Sequence, residues 1–325
     1  MPARMASQRL SPWRWLMFAG LFGRCIMQNL THGQLGLWVA CLLLRGATRL
    51  QARRDLAAGG CFAVAAALKL TPLLFVLALP CMGRWRAGLM TALGTAVLVL
   101  LVPWPFLGTA EHSRHLHDFY RAMIAPQFGV GDSPVLAYHP GPSVAGTFDY
   151  LLQARPLDAE GYRVNLVDLP DTAVRVIKLL WSLLLAALLG STFLRARALP
   201  QARRVSVQVA MTMLAMALFS PLTRVYHLAM ALLPAALFCH GPRRRDFAWW
   251  FAAAVFALTL PLRQRHLLGE PLWRWFDNGG LLHFGLVALL LWSWSWTAQR
   301  GRDAPAAVPP AEGSTLSRSA PPPVR

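Results

Sequence analysis

Lysine is almost absent from this sequence: Lys69 and Lys178 are the only two among 32 basic residues. Acids are also few, 14 in 325 residues, and only 14% of the chain is charged. Soluble domains carry roughly 25% charged residues, so a water-exposed globular surface is excluded. Cysteine is sparse too. Cys25, Cys41, Cys61, Cys81 and Cys239 lie in or beside apolar stretches, form no CxxC pair and avoid the long polar segment. They read as small apolar residues rather than disulfides or metal ligands. P-loop, Rossmann, zinc and Ser-His-Asp signatures are missing. The first apolar stretch, Trp15 to Ile26, is broken by Arg24 and has no small-x-small site, so cleavage as a signal peptide is not expected.

What is present is apolar residues, at 56%, with a mean hydropathy of +0.42 and a net charge of +18. The sequence therefore predicts an all-α, polytopic helical bundle in a lipid bilayer. Excess arginine can signal a nucleic-acid partner. Here the arginines sit in short clusters between apolar runs, as in cytoplasmic membrane loops, and no nucleic-acid partner is expected. Ala87 to Leu107 and Ala173 to Leu194 are long enough to cross as helices. Phe247 to Leu262 is shorter, and Leu281 to Trp296 answers it.

The clusters are Arg4/Arg9/Arg14, Arg45/Arg49/Arg53/Arg54, Arg84/Arg86, Arg195/Arg197/Arg203/Arg204, Arg243 to Arg245 and Arg300/Arg302. If all are cytoplasmic, each intervening segment leaves and returns to one side. Trp15 to Leu44 becomes a hairpin turning at Asn29 to Gln34, and Val205 to Phe238 becomes one turning at Ser220 to His227. Leu56 to Pro80 becomes a shorter hairpin turning near Lys69-Leu70-Thr71-Pro72. Its arms of about 12 residues reach about 18 Å, short of a hydrocarbon core of ~30 Å. Such a tip survives only if buried in protein or lining a wet cavity. The alternative is a full crossing that leaves Arg84 and Arg86 on the far side. Residues 1–299 form one transmembrane domain on this reading. The polar stretch 109–172 holds eight of the 14 acids and is expected to be an extracytoplasmic loop. The Pro/Ala/Ser/Gly-rich tail 300–325 is expected to be disordered.

Ionisable groups inside a membrane are functional candidates by default. Lys69, in Ala-Leu-Lys-Leu-Thr-Pro, is the clearest, suited to holding a phosphate or pyrophosphate; the bland reading is a lysine that snorkels or pairs with an acid. Arg224 and His227, three apart, share a face on a helical turn. The arginine fork suits phosphate, and the histidine suits a sugar hydroxyl, a phosphate or a proton; otherwise they are an interfacial arginine and a packing histidine. Asn29, His32 and Gln34 can bind sugar hydroxyls or merely cap a helix break. His112, His115 and His117 have spacings that do not specify a metal site, so no metal is assigned and a divalent ion is left open.

Taken in order, these residues resemble glycosyltransferase family 87, GT-C-type membrane enzymes related to polyprenyl-phosphate-mannose-dependent mannosyltransferases. The resemblance rests on Gly33-Gln34 opening an apolar helix, Ala58-Gly59 leading into Ala67-Leu68-Lys69-Leu70-Thr71-Pro72, Arg84-Trp85-Arg86, Ser143-Val144-Ala145-Gly146, and Ser220-Pro221-Leu222 with His227. It covers most of residues 25 to 240. The resemblance implies a GT-C-like fold in a bacterial inner membrane and a polyprenyl-phosphate sugar as donor. It also implies a glycan or glycolipid acceptor and inverting transfer, with an aspartate as base. Lys69 and Arg224 would stabilise the leaving phosphate, and His227 would contact donor or acceptor. Two departures stand out. No acid precedes Asp55, so the family's first-loop aspartate is expected to lie in an N-terminal part this chain lacks, with Asp118 and Asp132 as weak substitutes. Tyr226 also stands where the family more often has the first of paired histidines. A non-catalytic relative that binds lipid-linked sugar, or a membrane transporter, are the alternatives.

Overall fold

The computed structural model describes residues 26–27, 29–125, 143–154, 165–220, 229–240, 269 and 281–302, and among them every regular element is helical. Helix α1 (Gly36–Gln51) buries Val39, Ala40, Leu43, Ala47 and Leu50. That spacing of three and four gathers one apolar stripe. Arg53, at φ 56°, makes the reversal, and α2 (Asp55–Leu68) runs back along α1. Gly46 lets the two helices close: a Cβ there would stand 2.6 Å from the Phe62 ring.

Helix α2 stops where the sequence dictates. Pro72 has no N–H, and its ring would strike the carbonyl four residues earlier, at Leu68. Lys69 accordingly adopts extended backbone at φ −155°, ψ 127°, and Thr71–Leu74 form a 3-10 turn. Helix α3 (Phe75–Cys81) then descends. The Phe75 ring stacks on Phe62 at 4.3 Å, and Arg84 meets Asp55 at 3.2 Å. The segment thus returns to the end from which α2 departed, as the re-entrant reading expects, and the crossing that would strand Arg84 and Arg86 opposite is excluded. The 14-residue α2 is about 21 Å long, too short to cross ~30 Å of hydrocarbon.

Helix α4 (Trp85–Ala96) lies parallel to α2. Thr91 and Thr95 donate to their own helix at Ala87 and Thr91 (2.8 and 2.7 Å), and each hydroxyl also lies 3.4 Å from a carbonyl of α2, at Gly59 and Ala63 respectively. Small residues permit this approach, as they do between membrane helices generally. The chain passes through a π-helical stretch, Val97–Leu101, and bends by 87° into α5 (Trp104–Phe119). The single straight crossing expected over Ala87 to Leu107 is therefore corrected. Pro103 and the nearby Pro105 supply no N–H to continue the helix.

The stretch expected as a loop is largely helical where it is described. Helix α5 runs on as a π-turn to Ile124, and α6 (Val144–Leu152) follows with Ser143 capping its start through Gly146 N–H. Next come α7 (Asp171–Arg195), α8 (Gln201–Phe219), α9 (Leu232–His240) and α10 (Leu281–Arg302). Helices α7 and α8 are long and apolar enough to cross a membrane, and the bent α4–α5 pair is a third span if counted as one. Helix α8 sits between two apolar clusters. Val205, Val209 and Met213 face Leu43, Phe62 and Phe75, while Met211 and Leu214 face Leu185, Leu286 and Leu289.

One end of the bundle collects the arginines. Gln51 bonds Ser206 and the Ala202 carbonyl, Arg53 bonds Gln201, and Arg197 bonds the Cys81 carbonyl. Arg195 lies over the Trp294 ring at 4.7 Å. The turns α1–α2, α3–α4 and α7–α8 and the last turns of α10 therefore share one face, and Asp55 is the one acid there among the described residues. Of the six arginine clusters expected on one side, the four that fall among the described residues gather at this end; Arg4/Arg9/Arg14 and Arg243 to Arg245 lie outside the described residues.

Candidate functional site

The chain breaks lie toward the opposite end. Lys69 is half-buried at the end of α2. Pairing of Gly46 with Phe62 across the antiparallel α1–α2 hairpin puts Lys69 level with Val39 of α1. It stands about 20 Å from the arginine end by helix rise, inside the depth of a bilayer core. Ahead of α1, the turn closes through Gln34 N–H to the Asn29 carbonyl at 2.8 Å and Gly33, φ 58°, to Leu30. Asn29 is buried, whereas His32 and Gln34 are exposed. The first of these serves the turn; the other two are presented outward, somewhat more than a helical turn beyond Lys69. Arg224 and His227 lie outside the described residues, as do residues 1–25, Asp132 and Phe247 to Leu262. Asp118 sits exposed on α5. The helix also separates the three histidines expected in a loop: His117 projects about 140° round α5 from His112.

The structure adds a polar layer that counting apolar runs does not find. Helix α6 lies antiparallel against the start of α7. Asp149 pairs with Lys178 at 2.8 Å, and Gln153 donates to Asp171. One turn deeper, the Trp181 indole N–H donates to Nε2 of His283 at 2.9 Å, with Phe148 packed edge-on against both rings. An indole nitrogen can only donate, so Nε2 of His283 is the acceptor of this bond. His283 is fully buried. The one available signal for this layer was Lys178 itself, the second of the two lysines, in the middle of an apolar run.

The Asp149–Lys178 pair is mostly shielded, with side chains 22% and 25% exposed. Removing one partner strands the other charge, which costs more than the pair contributes. Lys178→Met is expected to destabilise the protein by about 2 kcal/mol. The double change Asp149→Leu with Lys178→Met should recover most of that. Unfolding of the parent and the two variants in one detergent checks it, and a neutral single variant would remove the pair from the stabilising contacts.

Fold and site together define an all-α membrane bundle with a re-entrant hairpin, a lysine at its tip and arginines at its base. The family model described as glycosyltransferase family 87 matches residues 2–221, about two thirds of the chain, and the chain belongs to that family. It is thereby a membrane glycosyltransferase by family. Among curated proteins and among solved structures, no match is found.

Proposed function

We propose that this protein transfers a mannose-like hexose from a polyprenyl-phosphate donor to a glycan or glycolipid acceptor on the extracytoplasmic side of a bacterial inner membrane, which it crosses several times. One observation carries the reading: the Lys69 break, a cation on a hairpin too short to cross, at hydrocarbon depth and away from the arginine end. A lipid-linked phosphate entering from the opposite leaflet meets that tip. In the transfer, the bond from sugar C1 to the phosphate oxygen breaks as the acceptor hydroxyl oxygen bonds C1. The hydroxyl proton passes to a base, and the lipid phosphate leaves with the electron pair. An ammonium in a low-dielectric site stabilises the charge growing on that phosphate. Arg224 is the second phosphate-binding cation and His227 the donor or acceptor contact in this proposal, while the exposed His32 and Gln34 face the sugar and buried Asn29 holds their turn. No residue is assigned as the base.

The test is sugar transfer by the purified protein in liposomes, with labelled polyprenyl-phosphate mannose and extracted membrane glycolipids as acceptors. Labelled product together with free polyprenyl phosphate is the expected result. Donor binding with neither transfer nor release would leave a lipid-linked-sugar binder. Solute flux across the liposomes without transfer would make the chain a transporter.

A further inference from the structure

The descending arm of the re-entrant hairpin does not close against the α7–α8 hairpin. A groove of about 280 Å³ lies between them, lined by Leu74, Leu77 and Cys81 on one wall and by Gly190, Phe193 and Ala215 on the other. Thr212 also borders it, but its hydroxyl is spent on the Gln208 carbonyl at 2.9 Å, so the lining is apolar. A Cβ on Gly190 would meet nothing within 4 Å. From Leu74 to Cys81 the wall runs about 10 Å along the helix axis, towards the arginine end.

The groove ends at a cation. Arg197 is exposed and donates from Nη2 to the Cys81 carbonyl at 3.2 Å. A guanidinium has five N–H donors, so one such bond leaves a fork for another acceptor. Neighbouring arginines are engaged otherwise: Arg84 with Asp55, Arg53 with Gln201 and Arg195 with the Trp294 ring. Among the described residues no carboxylate lies within ion-pair distance of Arg197.

We propose that this groove is a site for an anionic phospholipid of the arginine-side leaflet, its acyl chain along Leu74 to Cys81 and its phosphate on the Arg197 fork. Charge complementarity selects the occupant. A planar guanidinium binds phosphate oxygens in pairs, and the surrounding arginines repel the ammonium of a zwitterionic headgroup. The same polarity argues against the polyprenyl-phosphate donor, whose phosphate belongs at the Lys69 end. This site is independent of the proposed transfer reaction.

The test is native mass spectrometry of the full chain released from nanodiscs holding equal phosphatidylglycerol and phosphatidylcholine with matched acyl chains. Phosphatidylglycerol should be retained preferentially. Arg197→Gln should reduce that preference by roughly ten-fold, the worth of a charge-assisted hydrogen bond. Gly190→Leu, whose Cβ meets no neighbour within 4 Å and whose branches enter the groove, should reduce retention of both lipids. Location is read at Cys81 in a variant with Cys25, Cys41, Cys61 and Cys239 replaced by Ala: phosphatidylglycerol should slow its labelling by a membrane-soluble maleimide. An undiminished preference in Arg197→Gln, unchanged retention in Gly190→Leu, or protection of Cys81 by polyprenyl phosphate in place of phosphatidylglycerol overturns the proposal.

Discussion

Lys69→Gln is expected to lower sugar transfer from a polyprenyl-phosphate donor by roughly 10²- to 10³-fold, the usual effect of removing one charge-stabilising donor from a dry site. Most of the loss should fall on kcat, because charge on the leaving phosphate is greater in the transition state than in the bound donor. Glutamine keeps length and hydrogen bonding, so the change isolates the charge. Lys69→Arg restores the charge with a different shape and should recover only part of the rate. The fold should tolerate both changes, since α2 has already ended at Leu68 and position 69 lies in extended backbone. A Lys69→Gln protein that transfers sugar within three-fold of the parent would remove this residue from the reaction.

Gly59→Val should be the most damaging single change to the fold. A Cβ at position 59 would stand 2.6 Å from the Ala87 carbonyl oxygen and 2.6 Å from Met90 Cβ. A backbone oxygen cannot swing aside, so α2 and α4 must part and lose the shared contacts of Thr91 and Thr95. Overpacking of this kind costs about 3 kcal/mol. Gly60 is the matched control: a Cβ there meets nothing within 4 Å, and Gly60→Ala should be neutral or stabilise by up to about 1 kcal/mol from helix propensity. Midpoints of detergent-induced unfolding compare the two. Equal midpoints would show that α2 and α4 can separate freely.

The features the sequence foretold are those governed by local rules. Arginine clusters between apolar runs marked one side, and the structure joins those turns through Gln51, Arg53, Arg84 and Arg197. Lys69-Leu70-Thr71-Pro72 marked the reversal because proline acts on a residue four positions back. The same rule applies at Pro103, yet a count of apolar residues over 87–107 carries length and no direction, and so does not encode the 87° bend. The polarity of residues 109–172 predicts a loop, yet a helix can be polar around much of its surface, as α5 is. Asp149 and Lys178 are 29 residues apart, and their pairing depends on how α6 lies against α7, which no periodicity encodes. For Arg224 and His227, the expectation rests on sequence and family alone.

The parallel packing of α2 and α4 has an electrostatic consequence. The 32-residue offset of their contacts, Gly59 with Thr91 and Ala63 with Thr95, places the end of the π-stretch at Leu101 level with Lys69. Two helix dipoles therefore direct their negative ends to the same depth, and cations at such ends are favoured by about 0.3–1 kcal/mol each. An anion approaching that depth would meet repulsion from both carbonyl termini. Lys69 puts a cation at that depth, where both negative ends favour one.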